Sequence, residues 1–492
     1  MSSNNQKIMM SNSVKKTFLS GAFWTFSENI IFAIIGIIQL SITSRILTPV
    51  DFGIYAIALF FSGLGRIAFS MGLGPALVQK KGDVSNYLDT AWSANLLVSV
   101  AATIVLWLIT TPICIYYYHS PESIWPSIVI MLSVILSAAI NPEVIILQKE
   151  IKLKKYFFLF VLPKIISFTL VVICVLYFRS FWALIIALLS EYLIRTIYSF
   201  ILLPHKVWFH IDKEQFKDLY SFGGWLQLKN VTSWLAGNID VAIVGNVLGT
   251  EQLGIYNRAQ QLSQYPRTFV DGVVNNVAFP LYSKINGDTL RLNSVVNRII
   301  DIILLVLSYL AVVILLYAEP IVTIVLGDTW MEMINPFKVI FMAYLMQTLL
   351  FSFNPLIRSY GYTKNEFKFY IIKIVIMSIL LYPFTLMWGL VGAGLAILLA
   401  VLLVFPYLIR ILRAKTELKL GHFYLSFISC CINVIVTYYL CSFLNLDRGW
   451  MFILGTVICV VVSSLLFILF DLLFHIGPGG IIQNAFRTII KK

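Results

Sequence analysis

The sequence predicts an all-α polytopic membrane protein of about fourteen transmembrane helices. Twelve form two parallel six-helix lobes, with two more at the C-terminal end. Three observations predict this. Of 492 residues, 59% are hydrophobic and only 12% charged, and the mean hydropathy is +0.88. The apolar residues fall into runs long enough to cross a bilayer, and the basic residues fall between alternate runs. Part of the chain repeats itself. A soluble domain is about 45–50% apolar and about 25% charged. A soluble fold of this size still leaves roughly a quarter of its unfolded area in water. Composition therefore excludes a soluble enzyme, a nucleic-acid module and a disordered chain.

From the N-terminus, residues 1–16 are polar and basic, with Lys7, Lys15 and Lys16. The apolar stretch that follows is too long for a signal-peptide core and reads as a retained first span. A crossing helix needs about 20 apolar residues. Such runs lie at 17–43, 52–73, 88–112, 125–147, 156–177, 181–203, 220–245, 254–278, 299–317, 334–357, 369–387, 391–410, 423–443 and 450–474. No connection is long enough for an extramembrane catalytic domain. The widest polar stretch is 279–298.

The charges orient these spans. One side, with both termini, carries 25 Lys and Arg, among them Lys80, Lys149, Lys213, Arg298, Arg358, Arg413 and Lys491; the other carries 3, Arg45, Arg179 and Arg448. The positive-inside rule puts both termini in the cytoplasm. The net charge of +13 is then an orientation signal facing anionic lipid, not a nucleic-acid patch.

Shifted by 201 positions, Trp24–Arg66 matches Trp225–Arg267 without a gap at 12 of 43 positions, where chance predicts roughly 4. The identities include Trp24/Trp225, Asn29/Asn230, Gly53/Gly254, Tyr55/Tyr256 and Arg66/Arg267. Six spans separate the copies, so both have one orientation and relate by a two-fold axis along the membrane normal. Parallel repeats of this kind mark transporters, with substrate between the halves. The organisation predicted is a cytoplasmic segment 1–16, an N-lobe 17–203, a cytoplasmic linker 204–219, a C-lobe 220–412, an appendage 413–474 and a cytoplasmic tail 475–492.

Between spans 1 and 2 the chain reads Ser44-Arg45-Ile46-Leu47-Thr48-Pro49-Val50-Asp51-Phe52-Gly53-Ile54-Tyr55-Ala56. Pro49 suits the first turn of a helix, Thr48 suits its N-cap, and Gly53 suits a tight turn between helices. A helix-hairpin role without substrate contact fits these residues. The segment resembles the "ARxLxPxDFGxYA" signature of Wzx-type polysaccharide and O-antigen flippases. These belong to the multidrug/oligosaccharidyl-lipid/polysaccharide (MOP) superfamily. Gly72-Leu73-Gly74-Pro75-Ala76-Leu77-Val78-Gln79 is similar to a run in the branch that includes the colanic-acid exporter. Asn238-Ile239-Asp240-Val241 through Leu248-Gly249 to Gly254-Ile255-Tyr256 is similar to the second-lobe motif. Ser44 stands where Ala is common, and Gly249-Thr250 replaces Thr48-Pro49 in the second copy. The resemblance implies the MOP/MATE-like two-lobe fold. It implies translocation of an undecaprenyl-diphosphate-linked oligosaccharide (an O-antigen, capsule or exopolysaccharide unit) across the bacterial inner membrane by alternating access.

Eight basic residues lie within or at the ends of spans: Arg66, Lys164, Arg195, Lys229, Arg258, Arg267, Lys338 and Lys373. Charge in lipid must face a cavity, pair or snorkel. Arg195, Arg258, Lys338 and Lys373 sit near span ends, where snorkelling is the expectation. Arg66 and Arg267 lie deep, at matching repeat positions. The planar guanidinium suits phosphate, so both are candidate ligands of the diphosphate; an ion pair of Arg267 with Asp271 is the structural alternative. Lys164 and Lys229 are further candidates. Span 8 also carries Gln260, Gln264 and Tyr265, groups that bind sugar hydroxyls or pack helices equally well. Glu28, Asp240 and Asp271 are candidate coupling sites for H+ or Na+.

The six cysteines lie mostly in apolar runs without metal-ligand spacing, so no cofactor or metal is expected. The expected partners are the lipid-linked oligosaccharide, membrane lipids and other polysaccharide assembly proteins, with a monomer as the expected state. The alternatives are a MATE-like drug or metabolite exporter, whose cavity should be less cationic, and a membrane-embedded polymerase or ligase, which should carry a large outer loop. The short, acidic outer loops disfavour the latter.

Overall fold

The computed structural model describes residues 2–68, 70–80, 82–273, 289–416, 420–443 and 451–474, with isolated positions 278, 281, 282, 285 and 418. The described residues form helices joined by short turns: α1 (Ser2–Ile46), α2 (Pro49–Ala68), α3 (Leu73–Gln79), α4 (Leu88–Pro112), α5 (Ile124–Ile130), α6 (Leu132–Ala138), α7 (Val144–Lys149), α8 (Leu153–Phe178), α9 (Trp182–Leu202), α10 (Lys213–Val273), α11 (Thr289–Val325), α12 (Ile334–Phe351), α13 (Asn354–Ser359), α14 (Thr363–Thr416), α15 (Gly421–Phe443) and α16 (Met451–Phe474).

Among the described residues, eleven helical segments are long and apolar enough to cross a membrane. Two of them hold two of the expected spans each, one in α10 and one in α14. Each is interrupted by a glycine at positive φ: Gly249 (φ 81°) in α10 and Gly389 (φ 58°), beside non-helical Trp388, in α14. Only glycine adopts such angles without strain. Counting these two as double and adding α16 accounts for the expected fourteen.

Local chemistry sets the helix ends. Thr48 and Asp51 cap α2 reciprocally. The Thr48 amide and hydroxyl donate to Asp51 Oδ2 (2.9 and 2.7 Å), and the Asp51 amide donates to Thr48 Oγ1 (3.3 Å). This is the capping-box arrangement. Asp51 Oδ1 also accepts from the Phe181 amide (3.2 Å), tying the start of α9 to the cap. Arg179 (φ 46°) stops α8 in the left-handed region. Asp212 caps α10 by accepting from the amides of Glu214 and Gln215 (2.8 and 3.0 Å). Within α10 only Gly249 leaves helical angles, and Pro266 lies inside the helix.

Gly53 does not make the turn that the sequence suggested. It lies inside α2, and a Cβ there would collide with the Thr250 carbonyl. Gly254 does the same toward the Pro49 carbonyl. Gly53/Gly254 and Pro49/Thr250 are the repeat pairs. Such reciprocal contacts are what a two-fold axis produces. The second break also falls in register, since Thr48 outside α2 matches Gly249.

The chain divides into two compact units, Met1–Asn257 and Arg258–Lys492. In the first, the 213–257 part of α10 packs along α2. Trp234 lies against Gly63 and Phe60. Toward the basic-loop end, Gly223 meets the main chain of Met71 and Gly72. Ser70 donates to Gln227 Oε1 (2.9 Å), and Lys80 pairs with Asp218. The connection before α10 is strapped down. Its His205 amide donates to Glu143, its His205 ring meets Asp89 (3.0 Å), and Thr90 Oγ1 donates to Gln215 (2.8 Å). In the second unit, α11 packs on α12, α15 and α16, and α12 packs on α14. Of the six cysteines, Cys114, Cys430, Cys441 and Cys459 are buried as expected, while Cys431 is exposed.

Candidate functional site: intramembrane cation clusters

In the first unit, α9 presents Glu191, Tyr192 and Arg195, which share a face by their three- and four-residue spacing. The Arg66 guanidinium, in the last turn of α2, lies 5.3 Å from the Tyr192 ring centroid and donates to Ser133 Oγ of α6 (3.4 Å). Arg195 lies over the same ring at 5.3 Å and over Phe160 of α8 at 4.6 Å. Both distances are within cation–π range. Glu191, 9% exposed, accepts from Lys164 Nζ of α8 (3.0 Å) and pairs with Arg195. Glu28 of α1 lies in electrostatic reach of Arg195. Three bases thus meet two acids around one tyrosine, which leaves a surplus of positive charge when all are ionised.

In the second unit, Gln260, Gln264 and Arg267 form one stripe of α10. Tyr344, Gln347 and Phe351 form the facing stripe of α12. Gln260 and Gln264 donate to the Tyr344 hydroxyl (2.8 and 3.4 Å). Arg267 lies 4.5 Å and Lys373 of α14 5.7 Å from the Phe351 centroid. With its amide oxygen turned toward them, Gln347 accepts from both Arg267 Nη1 and Lys373 Nζ at 3.2 Å. Lys373 is only 3% exposed.

Of the sequence-chosen residues, the structure brings Arg66 and Lys164 into one cluster with Glu28 at its edge. It brings Arg267, Gln260 and Gln264 into the other. Tyr265 and Lys229 are half-buried on α10. Asp240 is buried and accepts from the Tyr256 hydroxyl (2.5 Å). The side chain of Asp271 lies outside the described residues, and with it the Arg267–Asp271 pair.

The snorkelling expectation fails for three residues. Arg258 and Lys373 are buried, and the Arg195 side chain is 13% exposed. Arg195 turns inward onto Glu191 and the Tyr192 and Phe160 rings, and Lys373 onto the Gln347 amide and the Phe351 ring. Lys338 is half-buried. Sequence reasoning missed Glu191, Tyr192, Gln347, Phe351 and the role of Lys373. One signal was available. A shift of 209 pairs Lys155/Lys364, Phe158/Phe367, Phe160/Phe369, Lys164/Lys373 and Ile165/Ile374. Lys164 and Lys373 are therefore repeat mates, as Arg66 and Arg267 are.

Each unit thus gathers an arginine and a lysine at repeat-equivalent positions: Arg66 at the Tyr192 ring with Lys164 on the neighbouring Glu191, and Arg267 and Lys373 at the Phe351 ring and Gln347. Among the described residues no His, Cys, Asp or Glu group could hold a metal ion. Such donors are of the kind that can hold anions and hydroxyl-bearing groups noncovalently.

The model of the polysaccharide biosynthesis protein family matches residues 42–335, more than half of the chain. The chain belongs to that family. The teichuronic acid biosynthesis protein TuaB of Bacillus subtilis is 23% identical over 343 residues, covering 69% of this chain and 70% of TuaB. The lipopolysaccharide biosynthesis protein WzxC of Escherichia coli is 20% identical over 398 residues, covering 80% of this chain and 79% of WzxC. Among solved structures, the lipid II flippase MurJ in an inward closed conformation superposes with a TM-score of 0.75 at 16% identity, covering 92% of this chain and 99% of MurJ. The chain therefore shares the fold of MurJ. Family and fold both bear out the resemblance seen between spans 1 and 2.

Proposed function

We propose that this protein is a flippase that moves an undecaprenyl-diphosphate-linked oligosaccharide across the bacterial inner membrane. Both termini and the basic loops face the cytoplasm. One observation carries the reading. Two arginines and two lysines, paired by the internal repeat, are held within long apolar helices, where charge is costly. An anionic headgroup accounts for keeping them there. The relatives named for teichuronic acid and lipopolysaccharide biosynthesis support a glycan as cargo, and the lipid II flippase fold supports a lipid carrier.

The chain's own residues supply binding and orientation. Arg66 and Arg267 offer planar donor forks to the diphosphate oxygens. Lys164 and Lys373 offer compact charge beside them. Gln260, Gln264 and Tyr344 offer amide and hydroxyl groups to sugar. No covalent bond changes, and the lobes 17–203 and 220–412 alternate the access of the headgroup to the two sides. A drug-exporter reading is less favoured, because many such substrates are cations. Deleting the gene and restoring it with wild type, Arg66→Ala or Arg267→Ala tests the proposal. Wild type should restore surface glycan, and the variants should not, at equal protein level. Normal glycan display by both variants would refute it.

A further inference from the structure

Among the buried acids that belong to neither cation cluster, Asp301 has a histidine as its partner. Asp301 lies in the second unit, at the basic-loop end of the apolar part of α11, and is 6% exposed. Its Oδ2 is 2.8 Å from Nε2 of His422, in the first turn of α15. Its Oδ1 is buried with no hydrogen-bond partner. Ser426 Oγ also approaches His422 Nε2 (3.3 Å). The His422 side chain remains 30% exposed, so one member of the pair reaches solvent or headgroups while the other is sealed.

The surroundings are apolar. Immediately beyond the pair, between α11, α12 and α15, lies a cavity of about 260 Å3 lined by Leu304, Leu307, Ser308, Met346, Leu349 and Cys430 among others. On α11 the neighbouring base, Arg298, is exposed. On α15 the buried Cys430 thiol is in electrostatic reach of Asp301. The cavity-lining residues of α12 carry no charge. From α16 the described partners on α11 and α15 are Ser463, Ser464 and Cys459. Arg413 of α14 stacks on Tyr424, two residues after His422. Asp328 and Glu332 stand at the far end of α11.

A carboxylate left with one bare oxygen in an apolar setting is expensive when ionised. A neighbouring imidazolium offsets that cost, and so does a proton. The hydrogen bond between them can carry its proton on either partner, His422 Nε2 or Asp301 Oδ2. Two further polar links from α11 to the appendage among the described residues are Tyr309–Ser464 (2.7 Å) and Tyr317–Cys459 (3.8 Å). Of these three links, Asp301–His422 is the one that joins a carboxylate to an imidazole.

We propose that Asp301 and His422 form a proton-binding site through which the flippase exchanges a proton with the side bearing its basic loops as it binds and releases its anionic cargo. The inference rests on the transport reading above. It places proton exchange at a pair that the sequence had not chosen, apart from Glu28, Asp240 and Asp271. His422 is the exposed donor and acceptor. Asp301 is the buried store, whose protonation state sets the charge between α11 and the appendage helix α15.

Two measurements on the full chain in nanodiscs test this. First, 15N NMR of labelled histidine follows His422 through pH. Wild type should titrate at higher pH than Asp301→Asn, since the variant removes the anion that favours imidazolium. Identical midpoints would overturn the site. Second, binding of undecaprenyl diphosphate is measured calorimetrically in two buffers of different ionisation enthalpy. Wild type should exchange protons on binding. Asp301→Asn and His422→Gln should bind the probe but lose that exchange. The same proton count in wild type and both variants would overturn the proposal. Variants that are not monodisperse are replaced by Asp301→Ser and His422→Asn. If wild type fails to bind the probe, the flippase reading fails, and the histidine titration still decides the proton site.

Discussion

Gly53 of α2 lies so close to the main chain of Thr250 that a methyl group at its Cα would overlap the Thr250 carbonyl, and Gly254 stands in the same relation to Pro49. The two contacts exchange repeat-equivalent residues. Each helix presents a glycine to the first turn of the other. The motif that reads as a hairpin device in one copy is therefore a crossing device once both copies fold.

Gly53→Ala and Gly254→Ala should each destabilise the protein by about 1–3 kcal/mol, toward the upper end, because main chain cannot step aside as a side chain can. Gly63→Ala should cost less, since its neighbour is the Trp234 ring. Thermal unfolding in detergent checks the order. A Gly63→Ala loss equal to that of Gly53→Ala would show that the main-chain approach is not the constraint.

Lys373→Met should weaken binding of undecaprenyl diphosphate about tenfold, the size of one lost charge-assisted hydrogen bond. Lys164→Met should act in the same direction. Lys338→Met serves as control and should leave affinity unchanged. Fluorescence quenching by the lipid gives the constants, and equal affinities for Lys373→Met and wild type would remove the lysines from the site.

Glu191→Gln should lower stability by about 3 kcal/mol or more, because Lys164 and Arg195 lose their buried counter-ion. Its affinity for the diphosphate should rise, since the internal carboxylate no longer competes with it. The Glu191→Gln/Lys164→Met double variant should recover part of the stability. Unfolding and binding measured on the same samples separate the two effects, and unchanged stability in Glu191→Gln would mean the pair is not coupled.

The Lys80–Asp218 pair outside the spans should hold across the neutral range. The Lys80 hydrogen bond keeps the Asp218 carboxyl below its usual range, and the same bond holds the Lys80 ammonium above its own. The Asp218 contribution is present above the ordinary carboxylate value and is lost as pH falls through the lowered one. The Lys80 contribution is lost only as pH rises through the raised one. Protection of residues 213–221 against hydrogen exchange, taken relative to the intrinsic base-catalysed rate, should therefore stay flat from about pH 5 to about pH 9 and fall beyond either end. In Asp218→Asn it should be lower throughout. A loss of protection centred near neutral pH would show that a different pair holds the strap.

Much of the candidate site was legible. The repeat picked out Arg66 and Arg267, and the polarity of span 8 picked out Gln260 and Gln264. What could not be read was which residues meet them. Glu191 and Tyr192 sit in an otherwise apolar run, and nothing local distinguishes a carboxylate that will face Lys164 from one that will face lipid. Lys373 looked like a snorkelling residue because its distance from a helix end is visible in sequence, whereas the Gln347 amide that receives it comes from another helix.

The sequence by itself determined the membrane class, the near-count of spans, the alternation of basic and acidic connections, the repeat and the family. Each depends on composition or on residues close in the chain, where helix period, bilayer thickness and capping chemistry act locally. Only the tertiary structure decided that Gly53 makes a crossing, that Arg195 and Lys373 turn inward, and that Asp301 meets His422. The fate of a buried charge is set by partners on other helices, and packing alone brings those within hydrogen-bond reach.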